Sequence, residues 1–137
     1  MGEKIVLDTN VLVSALGWSG KPRTLFRQVL DGTLTLIISQ QQLQELRRVL
    51  TYPKLHFNEK EQQCFLDIIS EVAVLVEVPG RLKVILDDPD DDIILESAVA
   101  GGALSLISSD RHLLKLKTYC GVQIMTVTAF LEALEKQ

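Results

Sequence analysis

Cysteine, histidine and long hydrophobic runs are scarce in this 137-residue sequence, and each shortage excludes a class of protein. Its two cysteines, Cys64 and Cys120, form no CxxC pair, so we expect reduced thiols that pack in the fold. The two histidines show no zinc-ligand spacing relative to these cysteines. No apolar run approaches the roughly 18 residues that span a bilayer. The first residues, MGEKIVLD, lack the pattern of a signal peptide, so we expect a cytoplasmic protein without a membrane partner.

Positive charge is also in short supply, because 14 Lys and Arg residues face 18 Asp and Glu residues and give a net charge of -4. This balance argues against a general polyanion-binding surface. It still allows a nucleic-acid enzyme whose acidic site holds cations. No glycine-rich phosphate loop and no Ser/His/Asp arrangement is legible. The length and the 47% hydrophobic share predict a single globular domain over residues 1–137.

Five short runs of Val, Ile and Leu lack the alternation of a half-exposed strand. They lie at 4–7, 35–38, 74–78, 104–107 and 122–125. Such runs are typical of strands buried on both faces of a parallel sheet. Helical patterns lie between them, one with Pro22 at its start and one with Asn58 and Glu61 spaced as a capping box. We therefore predict a three-layer α/β/α fold with a central, mostly parallel five-stranded sheet.

Acidic residues follow two of the predicted strands at the point where each strand ends. Asp8 follows the first strand in VLDTNVLVSAL, and Asp110 follows the fourth in LISSD. Because the carboxyl ends of parallel strands meet at one edge of a sheet, we expect these side chains at the same edge. The segment DDPDDDIILESA adds acids at the start of a helix, and Glu45 lies within an otherwise apolar helix face.

Clustered carboxylates suit Mg²⁺ or Mn²⁺, which prefer oxygen ligands. Two such ions can stabilise both the attacking and the leaving oxygen of a phosphodiester displacement. Each acid also has a purely structural interpretation. Asp8 or Thr9 could cap the next helix, the aspartates at 90–92 could complement a helix dipole, and Asp110 could serve a turn. Their joint placement at two strand ends favours the functional interpretation.

The same segments resemble those of PIN domains, and specifically the PIN-type toxins of bacterial toxin–antitoxin pairs. The resemblance rests on VLDTNVLVSAL, SQQQLQELRRVL, DDPDDDIILESAVAGGALSLISSD and RHLLKL, which occur in the family's order. It implies four catalytic acids: Asp8, Glu45, Asp92 and Asp110. Of these, Asp8, Asp92 and Asp110 would bind Mg²⁺ or Mn²⁺. Asp92 is preferred for its spacing to Asp110, with Asp88, Asp90 and Asp91 as alternatives.

The resemblance also implies supporting residues around these acids. Four positions would support the site: Thr9, Asn10, Asp91 and Ser108. Asn10 would orient the site by hydrogen bonds, and Ser108 supplies a hydroxyl where the family usually has Thr. Phosphates need positive partners, and five basic residues flank the acids: Arg47, Arg48, Lys54, Arg111 and Lys115.

A PIN-type toxin would be a divalent-metal-dependent endoribonuclease. The resemblance implies an RNA substrate, a homodimer and a cognate antitoxin protein as partner. One alternative is a non-catalytic PIN-like module that binds RNA or protein. Another is a DNA nuclease of the flap type, although those enzymes are typically larger than 137 residues.

Overall fold

A computed structural model of the protein describes residues 2–83 and 89–136. The described strands are β1 (Glu3–Leu7), β2 (Leu34–Ser39), β3 (Val74–Val76), β4 (Ser105–Ile107), β5 (Thr118–Tyr119) and β6 (Val122–Met125). The described helices are α1 (Thr9–Gly17), α2 (Lys21–Leu30), α3 (Gln40–Leu50), α4 (Glu59–Val72), α5 (Pro89–Ala100), α6 (Arg111–Leu114) and α7 (Val127–Glu135), with a 3₁₀ turn at Pro53–Leu55.

The strands form one sheet in the order β3-β2-β1-β4-β6-β5. All neighbouring pairs are parallel except β5, which runs antiparallel to β6. The sequence predicted five strands, whereas the described residues contain six. The additional strand is the two-residue edge strand β5, which joins β6 through a tight turn. Cys120 and Gly121 both have positive φ in that turn, at 48° and 82°, the conformation that the favoured two-residue hairpin turns require.

Successive residues of the central strands face two separate hydrophobic cores. Ile5 and Leu7 pack into the core that includes residues of α1, α2, α3, α4 and α7. Val6 packs on the opposite side of the sheet, in the core that includes Leu95 of α5. This two-sided burial is the physical reason why the strand sequences do not alternate, and it confirms the three-layer prediction.

Local sequence signals set several of the helix ends. The predicted capping box at the start of α4 is confirmed, because Asn58 Oδ1 accepts the Glu61 N–H at 2.7 Å and Glu61 Oε1 accepts the Asn58 N–H at 2.9 Å. Pro22 is the second residue of α2, where its missing N–H costs nothing. No helix within residues 2–83 or 89–136 is both long enough and apolar enough to cross a bilayer.

The order of the strands fixes where a site can form. The chain proceeds from β1 outward to β2 and β3 on one side, then returns to β4 on the other side of β1. The carboxyl ends of β1 and β4 therefore border the crevice at which ligands bind in open α/β sheets. Asp8 directly follows β1, and Asp110 comes three residues after Ile107, the last residue of β4.

Candidate active site

Asp8 caps a helix, the structural role that the sequence suggested for it, and it is also buried at the end of β1. Its Oδ1 atom accepts the Val11 N–H at 2.8 Å and so caps α1. Its Oδ2 atom accepts a short hydrogen bond from the Ser108 hydroxyl and one from the Ser109 N–H at 3.2 Å. Only 4% of the residue is exposed. Burial raises the pKa of Asp8, and the negative charge of Asp110 adds to this, while the three hydrogen bonds oppose the rise.

Glu45 reaches the same site from the middle of α3. The hydroxyl of Thr9, a buried residue at the start of α1, donates a short hydrogen bond to Glu45 Oε1. Partial burial raises the pKa of Glu45, and the neighbouring Asp90 carboxylate raises it further. The Thr9 hydrogen bond and the Arg48 charge act in the opposite direction. The residues around Glu45 in the sequence are generic, but in the structure its carboxylate is bonded to Thr9, the residue next to Asp8.

Asp110 is held at the end of β4 by two local hydrogen bonds. Its N–H donates to Ser108 Oγ at 2.9 Å, and its Oδ1 atom accepts the His112 N–H at 2.7 Å at the start of α6. Ser108 is thus bonded to both Asp110 and Asp8. This serine has 1% exposure, and its hydroxyl links the two strand-end acids.

The acidic run at the start of α5 presents Asp91, rather than Asp92, to the site. The spacing to Asp110 along the sequence favours Asp92 instead. Both residues are buried, but among the described residues Asp91 belongs to the pocket lining and Asp92 does not. Consecutive helix residues point about 100° apart, so Asp91 shares a face with Ile94, three residues on. Asp92 instead lies near Tyr119 on the edge of the sheet. The pKa of Tyr119 is raised mainly by partial burial and by Cys120, and the charge of Asp92 raises it further. Asp88 lies outside the described residues.

These acids surround a cavity of about 90 Å³. Nine residues line it: Asp8, Thr9, Asn10, Glu45, Val49, Asp90, Asp91, Ile94 and Asp110. Five of the nine carry carboxylates, and none is Lys, Arg or His. Asn10 is exposed at its mouth, and the guanidinium of Arg48 lies 3.9 Å from Asp90 Oδ2. Because both side chains of that ion pair are more than half exposed, it screens little of the charge inside.

The chemistry of this lining suits a hard divalent cation. Carboxylate oxygens are the preferred ligands of Mg²⁺ and Mn²⁺, and a cation would offset the burial and the neighbouring negative charge that raise the pKa of Asp8 and Glu45. Within residues 2–83 and 89–136, however, no three acidic, histidine or cysteine side chains are already close enough to hold a metal ion. The residues therefore fit a divalent cation by type, and binding requires the side chains to draw together.

The basic residues predicted to contact RNA lie outside the cavity lining. All five are exposed: Arg47, Arg48, Lys54, Arg111 and Lys115. Arg48 is the one whose ion pair places it at the rim, beside Asp90. Sequence reasoning assigned no role to Gln42, which is 2% exposed and bonded to the end of β1. The sequence holds one sign of this residue: Gln42 is a polar residue on the apolar face of α3, four positions before the buried Leu46.

The PIN domain family matches residues 4–112 of the sequence, and the chain therefore belongs to the PIN domain family. Among solved structures, the fold is similar to VapBC2 from Rickettsia felis, solved bound to a DNA fragment from their promoter. That match has 19% identity and a TM-score of 0.63, and covers 88% of this chain and 96% of the other.

The fold is also similar to PAE2754 from Pyrobaculum aerophilum. This match has 17% identity and a TM-score of 0.61, over 99% of this chain and 91% of that one. A search of curated proteins found no match. At these identities the two structures support the fold, and the family match confirms that the sequence resembles a PIN domain.

Proposed function

We propose that this protein is a divalent-metal-dependent endoribonuclease and the toxin of a toxin–antitoxin pair. One observation carries the proposal: carboxylates from four separate segments line a single cavity at the carboxyl edge of a PIN-domain sheet. The four segments are the β1–α1 junction, α3, the start of α5 and the β4–α6 junction. Helix capping alone would not bring Glu45 of α3 into this lining.

We assign the cation to Asp8, Asp91 and Asp110, with Glu45 assisting. Asp91 replaces Asp92 in this proposal because Asp91 belongs to the cavity lining. When bound, Mg²⁺ or Mn²⁺ would supply Lewis-acid stabilisation of the phosphodiester oxygens and a lowered pKa for a bound water.

The protein's own residues would orient these acids and handle the proton. The Ser108 hydroxyl holds one oxygen of Asp8, and the Val11 N–H holds the other. The Thr9 hydroxyl fixes Oε1 of Glu45, and the Glu45 carboxylate would accept the proton of the attacking water. Hydrolysis in this manner leaves a 5′-phosphate and a 3′-hydroxyl.

The substrate and partners in this proposal are RNA, a second copy of the chain and an antitoxin protein. Arg48 lies at the rim of the cavity, and the other exposed basic residues named above would meet phosphates further out. The similarity in fold to VapBC2 supports the proposal of an antitoxin partner. We place the activity in the cytoplasm, where RNA and such a partner would meet it.

Cleavage of a mixed RNA and DNA panel tests the activity directly. Purified protein is incubated with Mn²⁺, Mg²⁺ or EDTA, and product termini are mapped. Asp8→Asn and Asp91→Asn should abolish cleavage of RNA, whereas Asp92→Asn is the matched control and should retain it. Loss with Asp92→Asn and retention with Asp91→Asn would reverse the assignment within α5. Equal cleavage by all variants, or cleavage in EDTA, would refute the proposal.

A non-catalytic PIN-like module is the second candidate function. It is favoured by the lack, among the described residues, of three acids already arranged around a metal position. This candidate predicts no RNA cleavage and no heat of Mn²⁺ binding in calorimetry. Binding of Mn²⁺ that Asp8→Asn abolishes would instead favour the nuclease.

A further inference from the structure

Gln42 is a buried amide that spans the gap between α3 and the end of β1. Its Nε2 atom donates a hydrogen bond of 2.7 Å to the carbonyl oxygen of Leu7. The residue is 2% exposed. Its Oε1 atom is a buried side-chain oxygen with no hydrogen-bond partner in the part of the chain that the structure describes. The amide is therefore held by its donor end alone.

The Leu7 carbonyl needs a donor because β1 and β2 no longer pair beside it. Pairing between β1 and β2 ends at Ile5 and Leu36, two residues before Leu7. The Asp8 N–H points the other way and bonds to the Ile107 carbonyl of β4, so the trans peptide turns the Leu7 carbonyl towards β2. There the last residues of β2, Ile37 to Ser39, pair with β3, and the Gln42 amide in the first turn of α3 supplies the donor.

Both ends of this bond lie close along the chain to acids of the cavity. Leu7 immediately precedes Asp8, and Gln42 lies three residues before Glu45, which places the two side chains on the same side of α3. The Thr9–Glu45 hydrogen bond crosses the same gap one turn further along. A shift of α3 away from β1 would therefore separate Glu45 from Asp8.

We propose that Gln42 is a positioning residue that fixes Glu45 relative to Asp8 through the Leu7 carbonyl. The inference rests on the proposed function for its activity readout, although the geometry that it describes does not. A purely packing role would be better served by an apolar side chain, because a buried oxygen without a partner is costly. Methionine has nearly the same shape, lacks the donor and removes that oxygen.

The chain offers a matched control on the same helix. The neighbouring residue, Gln41, also donates its Nε2 to a backbone carbonyl, that of Val78, at 2.9 Å. Gln41→Met therefore removes one glutamine-to-carbonyl hydrogen bond from α3, as Gln42→Met does, but at a position that does not connect to β1. Neither residue lines the acidic cavity.

The experiment compares Gln42→Met and Gln41→Met in RNA cleavage and in Mn²⁺ calorimetry. We expect Gln42→Met to lower kcat and the Mn²⁺ affinity by about 10- to 100-fold, the range for residues that orient metal ligands. The KM for RNA should be unchanged, because Gln42 touches no substrate. Gln41→Met should stay within about twofold of the wild type. Equal effects of the two variants would overturn the inference. Gln42→Leu serves as a second variant if Gln42→Met does not fold.

Metal-free crystal structures of the same variants separate this inference from the proposed function. If the wild type neither cleaves RNA nor binds Mn²⁺, the proposed function fails. Loss of the Thr9–Glu45 hydrogen bond in Gln42→Met, with its retention in Gln41→Met, would still support the positioning role. Retention of that bond in Gln42→Met would refute it.

Discussion

Replacing Ser108 by alanine should weaken the fold more than replacing any comparably buried serine that bonds to a neutral group. The Ser108 hydroxyl donates to Asp8 Oδ2 and accepts the Asp110 N–H. Alanine removes one of three donors from a buried carboxylate and leaves the Asp110 N–H without its acceptor. Asp110 is only partly buried, so water can replace that acceptor, whereas the loss at Asp8 stays uncompensated.

The expected magnitude follows from the charge on the acceptor. Hydrogen bonds to charged groups contribute about 1.5–3 kcal/mol to stability, so Ser108→Ala should lower the free energy of unfolding by about that amount. For a chain of this size the change corresponds to a fall of about 5–10 °C in Tm. Urea denaturation in EDTA at pH 7 measures it.

The effect of Ser108→Ala should also depend on pH. The Ser108 hydrogen bond lowers the pKa of Asp8, so its removal raises the folded-state pKa further. The variant therefore loses the most stability where Asp8 is ionised, and the loss shrinks as pH falls through the folded-state pKa. Equal losses at pH 7 and at pH 4 would show that the bond does not act on the ionised carboxylate.

Ser97→Ala is the matched control for this prediction. Ser97 is fully buried in α5, and its hydroxyl donates to the neutral Ile94 carbonyl at 2.8 Å. Its removal should cost about 0.5–1.5 kcal/mol and should show no dependence on the ionisation of Asp8. A loss in Ser97→Ala as large as that in Ser108→Ala would refute the reasoning from charge.

Three further predictions concern a cap, a close contact and the central acid. Asn58→Ala removes the capping box of α4 and should cost about 1 kcal/mol in urea denaturation; an unchanged midpoint would contradict the role of the cap. Gly101→Ala would place a Cβ atom 2.6 Å from Cγ2 of Ile37, so overpacking should lower stability by about 1–3 kcal/mol, and an unchanged Tm would contradict this. Burial raises the pKa of Asp8, so the folded protein favours the protonated form of this residue. The stability that Asp8 contributes is therefore fully present below the unfolded-state pKa of about 3.9 and is lost as pH rises through the folded-state pKa. Asp8→Asn in EDTA should therefore gain stability relative to the wild type as pH rises above about 4, and a relative loss over that range would refute the sign.

The layers of the fold were predictable because two-sided burial leaves a pattern in the sequence. Ile5, Val6 and Leu7 are apolar in succession since they face opposite cores in turn. The edge strand β5 was not predictable in this way. It has two residues, Thr118 and Tyr119, and its pairing depends on a turn whose first residue is a cysteine, an unusual choice for a positive φ.

The acids of the site were predictable as types and segments, but their orientations were not. Asp91 and Asp92 are adjacent in sequence, and only the rotation of α5 about its axis decides which one enters the cavity. Spacing to Asp110 along the chain does not determine that rotation. The Gln42 bond to Leu7 depends on how α3 packs beside β1, a tertiary relation with no local sequence signal beyond a polar residue on an apolar face.

Burial disfavours the ionised forms of two acids in the cavity, Asp8 and Glu45. Three donors hold Asp8, yet its pKa remains raised because burial and Asp110 outweigh them. Glu45 shows the same balance, since burial and Asp90 outweigh Thr9 and Arg48. Any cation that binds the folded state and not the unfolded one adds RT ln(1 + [L]/Kd) to stability, about 2.7 kcal/mol at 100 Kd. Holding these acids in a buried position therefore lowers the stability of the folded protein, and the divalent cation of the proposed function would offset that cost.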